Sequence, residues 1–346
     1  MTKVKPKMLK RGDKIAIVSL SWGGLGDDNL IHKYKIAKKR LENDFGLEVV
    51  TMPNALKGTQ FVYEHPELRA EDLMQAFQDD SIAAIFCAIG GNDSVRILPY
   101  IDYEVIRNHP KIFMGYSDTT VSHFIMHKAG IVSYYGPAIM CDFGEYVKMF
   151  DYTKEAVQNI LMQDSTEYEI KSSPYWSKDF IPWDEKNIQI SKKLLEETHG
   201  YEVLQGSGVI EGEILGGCID VFPVINGTEI WPSLEEWKDK ILLLETSDDK
   251  MEPSYLLAYL RNLGAQGILK TVQGILVGKP QEEKYYEEYK ETLLKVLQEF
   301  HCKDVPVLYN INIGHALPIG IIPFGTQVKV DYTHKEIYLK ESATVS

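Results

Sequence analysis

The stretch KIFMGYSDTT, residues 111–120, joins a short apolar run to a segment with helical spacing. KIFMGY has the composition of a buried strand, and the segment that follows it, TTVSHFIMHKAG, has the spacing of a helix. Ser117 therefore lies at a turn from strand to helix. There its side chain either caps the helix or stands clear of the sheet as a nucleophile, and this stretch alone leaves both interpretations open.

Strand-like and helix-like segments alternate through the first half of the chain, on both sides of this turn. The strand-like segments are KIAIVSL (14–20), LEVVTMP (47–53), IAAIFCAIGG (82–91) and GIVSYYGP (130–137), and helical spacing occupies 29–46 and 65–80. This alternation predicts an α/β fold with a parallel sheet and helices on both of its faces. Ligands bind beyond the carboxyl ends of such strands, which is where the segments GGND and SDTT should lie.

The second half of the chain has a different character. Residues 166–203 show no clear period, and their tryptophan-bearing stretch SSPYWSKDFIPWDEKN (172–187) predicts a long loop or linker. From residue 204 to residue 346, short strand-like segments predominate around two helical ones, at 253–267 and 284–300. We therefore expect a second, β-rich α/β domain that ends in a hairpin.

Composition excludes several classes of protein. The chain has 346 residues with a net charge of -13, which argues against nucleic acid as a partner because phosphate binding needs a concentrated basic surface. No window approaches the roughly 20 apolar residues of a membrane helix, and the N-terminal apolar run is too short for a signal peptide. The four cysteines are far apart and favour reduced thiols. We expect a soluble, cytoplasmic protein that binds no membrane.

Polar residues follow several of the predicted strands. Gly90 and Gly91 follow the strand at 82–91, where a tight turn, an oxyanion-binding backbone and a phosphate cradle all remain open. Glu245 ends the apolar run ILLLE, where it either orients a histidine or is a solvated strand end. His315 follows LYNINIG, as a general base or as a loop histidine. Together with Ser117, these residues supply the nucleophile, base and orienting acid of a hydrolytic triad.

A zinc site is not predicted. His123 and His127 lie four residues apart on the predicted helix, but the glutamate of HExxH is absent and no third ligand is evident. The usual nucleotide-binding glycine motifs are absent as well. We therefore predict neither a metal nor a cofactor.

Six motifs in a fixed order resemble the LD-carboxypeptidase family of serine peptidases, which includes the microcin C immunity peptidases. They cover nearly the whole chain, so that they are far more specific together than any one alone. In this sequence the motifs read GDKIAIV (12–18), GGNDSVRILPYID (90–102), GYSDTT (115–120), LGG (Leu215 to Gly217), LETSD (244–248) and GHALP (314–318).

The resemblance implies a function and a set of site residues. Ser117, Glu245 and His315 would form the triad, and the backbone N–H groups of Gly91 and Asp118 would form the oxyanion hole. It also implies a Rossmann-like N-terminal domain over residues 1–165, joined by the tryptophan-bearing linker (166–203) to a β-rich C-terminal domain over residues 204–346. The family's members are typically homodimers that need no metal.

The tryptophans of the linker resemble those of the microcin C immunity branch, in which such residues stack on a nucleotide base. Trp176 and Trp183 would then bind substrate, and the bond cut would join an amino acid to a nucleotide-like group. Three alternatives remain: a murein tetrapeptide LD-carboxypeptidase, a non-catalytic ligand-binding module, and tryptophans that only anchor the loop. The chain departs from the family at Cys218, where an asparagine often follows the two glycines, and this puts any substrate contact of that asparagine in doubt.

Overall fold

The apolar runs of the first half form five parallel strands in the computed structural model, which describes residues 3–346. Their spatial order is β5-β4-β3-β1-β2. The strands are β1 (Lys14–Val18), β2 (Glu48–Thr51), β3 (Ile82–Cys87), β4 (Ile112–Gly115) and β5 (Ser133–Tyr135).

Helices cover both faces of this sheet. Ile15 and Ile17 of β1 belong to one core cluster, and Ala16 and Val18 belong to another, because successive side chains of a strand point to opposite faces. The helices are α1 (Ile31–Arg40), α2 (Thr59–Glu64), α3 (Pro66–Gln78), α4 (Tyr103–Asn108), α5 (Thr120–Ala129) and α6 (Asp151–Leu161). Short 3-10 turns lie at Gly24–Gly26, Ser94–Tyr100 and Ser117–Thr119, and π-helical turns at Leu41–Phe45 and Ile139–Phe143.

The linker has little regular structure. Its two short strands, β6 (Tyr175–Trp176) and β7 (Leu195–Glu196), pair antiparallel, and a single 3-10 turn lies at Glu185–Asn187. The linker nevertheless has a defined path, since Trp176 is buried and Ser177 pairs with Leu317 of the C-terminal half.

The C-terminal half forms a mixed sheet in the order β15-β14-β9-β10-β11-β12-β8, in which β9 to β12 are parallel and the outer strands are antiparallel. The predicted C-terminal hairpin is the pair β14–β15. The strands are β8 (Glu202–Gln205), β9 (Val209–Cys218), β10 (Ile241–Glu245), β11 (Gly274–Gly278), β12 (Val307–Ile311), β13 (Ile322–Phe324), β14 (Gln327–Asp331) and β15 (Glu336–Leu339). The helices are α7 (Phe222–Ile225), α8 (Leu234–Trp237), α9 (Pro253–Ala265), α10 (Ile268–Thr271) and α11 (Tyr286–Glu299), with a 3-10 turn at Gln281–Glu283.

Strand β13 crosses between the two halves. It lies antiparallel beside β5, where Ile322 pairs with Tyr135, and so completes the N-terminal sheet with residues from the C-terminal half. One core cluster accordingly holds side chains of both sheets, among them Tyr135, Leu243 and Ile311. The predicted α/β class, with a parallel N-terminal sheet, is confirmed. None of the helices within residues 3–346 has the length and apolar character needed to cross a bilayer.

Candidate active site

Ser117 lies on a sharp turn between β4 and α5. Its φ is 64°, in the left-handed region that non-glycine residues rarely adopt and that often marks a functional site. Helix α5 begins only at Thr120, one 3-10 turn later, so that Ser117 is not the residue that precedes this helix. A Cβ at Gly90 would lie 2.6 Å from Ser117 Cβ, so glycine is needed where the neighbouring loop meets the turn. This geometry is that of a nucleophile held at a strand-to-helix elbow.

The acid and the histidine of the predicted triad are in contact. Glu245 ends β10 with a buried side chain, and its Oε2 accepts a hydrogen bond of 2.8 Å from His315 Nδ1. The close approach of His315 to Glu245 requires a glycine at position 314. The φ of Gly314 is 86°, and a Cβ at this position would collide with the Glu245 carboxylate. Because Nδ1 faces the acid, Nε2 is the ring nitrogen that remains to act as a base.

The negative charges around His315 control its protonation. Burial favours the neutral ring, but the Glu245 carboxylate outweighs it, with a smaller contribution from Asp248, and together they raise the pKa of His315 to about 9. Asp248 is exposed, and its Oδ1 lies 3.9 Å from His315 Nε2. The imidazole therefore carries a proton at neutral pH in the absence of substrate.

The second oxygen of Glu245 is also held. Its Oε1 accepts a hydrogen bond of 2.5 Å from the hydroxyl of Tyr135, at the end of β5, so both oxygens of this buried carboxylate have partners. The same hydroxyl accepts a hydrogen bond of 3.2 Å from the backbone N–H of Ser117. Tyr135 was not among the predicted site residues, and no local motif marks it.

Asp118 fastens the Ser117 turn to the loop that follows β3. Its buried carboxylate accepts hydrogen bonds from Ser21 Oγ (2.6 Å) and from the N–H of Ser94 (2.9 Å), while Ser94 Oγ donates to the Asp118 carbonyl (3.0 Å). The N–H of Asp118 opens a 3-10 turn and so has no acceptor within the turn. No backbone carbonyl within residues 3–346 accepts from the N–H of Gly91. Both predicted oxyanion donors thus lie on loops that Asp118 joins.

A buried ion pair supports the loop from its other side. The guanidinium of Arg69 donates to Asp93 Oδ1 at 2.7 Å and to the carbonyls of Leu20 and Ser21 at 3.0 and 3.2 Å. Arg69 is almost fully buried, so its charge depends on these partners. The aspartate of the segment GGND therefore has a structural role that the sequence did not indicate.

Ser117 and His315 line one cavity of about 670 Å³. Gly91 and Trp183 line the same cavity, and the Trp183 ring lies nearly parallel to that of Trp22, with 6.4 Å between ring centroids and 17° between planes. Trp22 is a further cavity residue that no sequence motif marks. The cavity thus joins a reactive end at Ser117 to an aromatic wall.

Trp176 is not among the residues that line this cavity. Its ring is buried over the ammonium group of Lys279, 4.3 Å from the ring centroid, and Lys279 in turn pairs with Glu197 at 3.0 Å. Of the two tryptophans predicted to bind substrate, the structure therefore brings Trp183 to the cavity and places Trp176, on β6, in the body of the protein.

Two of the three residues that lie close enough to share a metal ion belong to the site already described. Within residues 3–346, the single group of three close enough to share an ion is Cys218, Glu245 and His315. The last two are bonded to each other, and the Cys218 thiol donates to Asp220 Oδ2 at 3.4 Å. Burial raises the pKa of Cys218 well above its usual range, which favours the neutral thiol over a metal-binding thiolate.

His123, the first histidine of the pair on α5, has a structural role. The ring nitrogens of His123 lie 2.8 Å from Ser133 Oγ and 2.9 Å from the carbonyl of Gly115. Burial lowers the pKa of His123 to about 4, so that the ring is neutral. It therefore braces β4 and β5 beneath the nucleophile.

Comparison with known families matches both halves of the chain. Residues 15–136 match the LD-carboxypeptidase N-terminal domain, and residues 211–330 match the LD-carboxypeptidase C-terminal domain. The microcin C7 self-immunity protein MccF of Escherichia coli is 30% identical over 79% of this chain and 78% of its own length. A Bacillus subtilis (strain 168) protein named as a probable murein peptide carboxypeptidase is 28% identical over 96% of this chain and 92% of its own length.

Solved structures show the same architecture. The MccF-like protein from Streptococcus pneumoniae, in complex with AMP, is 37% identical and superimposes with a TM-score of 0.88 over 95% of this chain and 98% of its own. MccF in complex with aspartyl sulfamoyl adenosine is 27% identical, with a TM-score of 0.86 over 99% of each chain. The similarity extends over both sheets and the linker between them.

Proposed function

This chain belongs to the LD-carboxypeptidase family, and from that premise we propose that it is a serine hydrolase that cleaves an amide between an amino acid and a nucleotide-like group. One observation carries the proposal: Ser117 and His315 share a cavity with the paired rings of Trp22 and Trp183. A single ligand in this cavity would thus contact both the Ser117–His315 pair and an aromatic surface suited to a flat base.

The chemistry follows from the contacts. His315 Nε2, once neutral, takes the proton of Ser117 Oγ as the oxygen attacks the amide carbonyl. Glu245 fixes the imidazole through Nδ1 and stabilises the positive charge that the ring acquires. His315 then protonates the leaving amine, and a water molecule, activated in the same way, hydrolyses the acyl-enzyme.

The oxyanion of each tetrahedral intermediate needs donors that are fixed beforehand. The backbone N–H groups of Gly91 and Asp118 are our candidates, because the Asp118 carboxylate and the close contact of Gly90 with Ser117 hold their two loops together. One such donor is worth about 2.7–4 kcal/mol of transition-state stabilisation.

The choice of substrate rests on the aromatic wall and on the charges of the cavity. Among residues 3–346, the cavity lining includes one lysine, Lys192, which pairs with the buried Glu145 at 2.7 Å, and no arginine. Two exposed aspartates, Asp248 and Asp249, also line the cavity, and Asp248 Oδ1 lies 3.9 Å from His315 Nε2. Apart from His315, a terminal carboxylate, as in a murein tetrapeptide, would meet little compensating charge in the cavity, whereas a base can stack on Trp183.

The test is turnover of defined substrates, followed by mass spectrometry. A panel of aminoacyl sulfamoyl adenosines and a murein tetrapeptide would be incubated with the wild type, with Ser117→Ala and with Ser122→Ala. Ser122 is a matched control, since its buried hydroxyl on α5 has no hydrogen-bond partner among residues 3–346. We expect Ser117→Ala to lose at least about 10³-fold in kcat without loss of fold, and Ser122→Ala to keep its rate.

Each outcome separates the candidate functions. Release of an amino acid from the nucleotide by the wild type and not by Ser117→Ala supports the proposal. Release of terminal D-alanine alone would instead identify murein peptides as the substrate. Turnover that survives Ser117→Ala would refute the mechanism. If nothing is cleaved and a fluorophosphonate probe leaves Ser117 unlabelled, the protein is a binding module.

The assembly is a separate proposal. The family resemblance favours a homodimer, which light scattering of the purified protein would test directly. A mass equal to one chain at working concentration would exclude it.

A further inference from the structure

The hydroxyl of Tyr135 joins the two halves of the proposed active site. It donates to Glu245 Oε1 at 2.5 Å and accepts from the N–H of Ser117 at 3.2 Å. One atom of the N-terminal sheet thus touches the acid of the C-terminal sheet and the turn that carries the nucleophile. Neither the motifs of the sequence nor the triad chemistry assigns it a role.

Within the described part of the chain, the Tyr135 hydroxyl is the one hydrogen-bond partner of Glu245 Oε1 and of the Ser117 N–H. The side chain of Glu245 is fully buried, and a buried carboxylate oxygen without a partner is costly. Ser117 adopts a strained φ of 64° that removes its N–H from regular backbone pairing, and the tyrosine oxygen is its acceptor. The hydroxyl therefore stabilises the acid and the turn at once.

The ring is held rigidly enough to place this hydroxyl. Tyr135 is fully buried, and its ring stacks on Phe324 of β13 with 5.6 Å between centroids. His123 lies on another side at 5.3 Å, and a side chain at Gly217 would come within 3.1 Å of the ring. The packing leaves one orientation, in which the oxygen points at Glu245.

We propose that Tyr135 is a positioning residue that fixes the Glu245 carboxylate and the Ser117 turn in one geometry. This inference rests on the proposed hydrolytic function. The tyrosine does not touch the substrate; it acts through Glu245 on His315 and through the backbone on Ser117.

Asp142, next to Cys141 of the cavity lining, titrates near neutral pH, because burial raises its pKa to about 7. Asp248 and Asp220 contribute to the raised pKa of His315, and Cys218 lies beside Glu245 as a neutral thiol. Burial lowers the pKa of His123 to about 4, and burial next to Glu245 raises the pKa of Tyr135 well above its usual range. A change in protonation near pH 9 therefore reports on the pair of Glu245 and His315, and a change near pH 7 reports on Asp142.

The experiment compares Tyr135→Phe with Tyr134→Phe. Tyr134 is the neighbour of Tyr135 on β5, is equally buried, and donates its hydroxyl to the Ala343 carbonyl at 2.6 Å, away from the site. With the best substrate of the panel, we expect Tyr135→Phe to lower kcat by about 10- to 100-fold with little change in KM, and Tyr134→Phe to leave kcat unchanged.

The pH dependence distinguishes positioning from general stability. Without the tyrosine hydroxyl, the carboxylate charge is less compensated and the Glu245–His315 pair keeps its proton to higher pH. The acid limb of the pH profile of kcat/KM should shift to higher pH by about half a pH unit or more in Tyr135→Phe. It should not shift in Tyr134→Phe. NMR titration of His315 measures the same shift without substrate, so the inference remains testable if no compound of the panel is cleaved.

A double variant completes the test. If Tyr135 acts through Glu245, adding Tyr135→Phe to Glu245→Gln should cost much less than it does in the wild type. Should Tyr135→Phe fail to fold alone, the double variant, in which the buried charge is absent, is expected to fold. Equal kcat and an unmoved His315 titration in the two tyrosine variants would overturn the inference, as would a double variant that also fails to fold.

Discussion

At the scale of single residues, the charge on His315 sets when the site can react. The ring must be neutral to accept a proton from Ser117, yet Glu245 and Asp248 stabilise its protonated form. Under the proposed mechanism, most molecules would thus hold a protonated, unreactive His315 at pH 7 until substrate binds. The contact that orients the histidine also sets its working pH.

We therefore expect kcat/KM of the wild type to rise with pH until about pH 9, the pKa that Glu245 confers on His315. Asp248→Asn removes an anion 3.9 Å from Nε2, which destabilises the imidazolium and should move the acid limb to lower pH. Because Asp248 is well exposed and screened by solvent, the shift should be less than about one unit.

Asp249→Asn is the matched control, since Asp249 is also exposed and lines the same cavity. Its acid limb should coincide with that of the wild type. A wild-type limb near pH 6.5, or equal shifts in the two variants, would contradict this explanation of the charge on His315.

Some of these residues can be found from the sequence and others cannot, for a physical reason. Ser117, Glu245 and His315 each follow an apolar run, so the pattern of strand ends is sufficient to point to them. Tyr135 also ends a strand, but an aromatic residue there reads as part of the core, and its importance depends on Glu245 of β10 reaching it in the folded protein. A contact between residues 110 positions apart leaves no local signal.

At the scale of elements, the linker separates its two tryptophans. Trp183 lies at the cavity against Trp22, while Trp176 packs on Lys279. Both residues sit among the same prolines and polar residues, so composition alone could not tell them apart. The pairing of β6 with β7, which distinguishes them, involves only two residues on each strand and is too short to predict.

The two tryptophans should accordingly respond differently to substitution. Trp183→Ala should weaken AMP binding, measured by calorimetry, by about 5- to 150-fold, as the loss of one stacked base implies. Trp176→Ala should leave the AMP affinity unchanged but lower the melting temperature, because it removes a buried ring from over Lys279. Equal losses of AMP affinity in the two variants would show that Trp176 also belongs to the substrate site.

At the scale of the whole molecule, the two sheets share one interior. Strand β13 belongs to the C-terminal half by sequence and to the N-terminal sheet by pairing, and a single core cluster includes residues of both sheets. The alternation of strands and helices predicts the α/β class but not this crossing. The segment is short and contains Pro323, which favours an edge position and weakens any strand pattern.

We expect this shared core to unfold as a unit. Calorimetry should show one transition, with calorimetric and van't Hoff enthalpies in agreement. Phe324→Ala, which removes a buried ring of β13 that stacks on Tyr135, should cost about 3–5 kcal/mol and move the whole transition to lower temperature. Two transitions, of which only one moved, would show that the halves are independent domains.

The crossing of β13 also bears on how the protein is made. Ser117 leaves the ribosome early, but β5 keeps an unpaired edge, and Tyr135 lacks its stacking partner, until Ile322–Phe324 has been translated. His315 arrives only shortly before that strand. A nascent chain therefore carries the proposed nucleophile through most of synthesis without the proposed base, and under this mechanism a truncated product would be released inert.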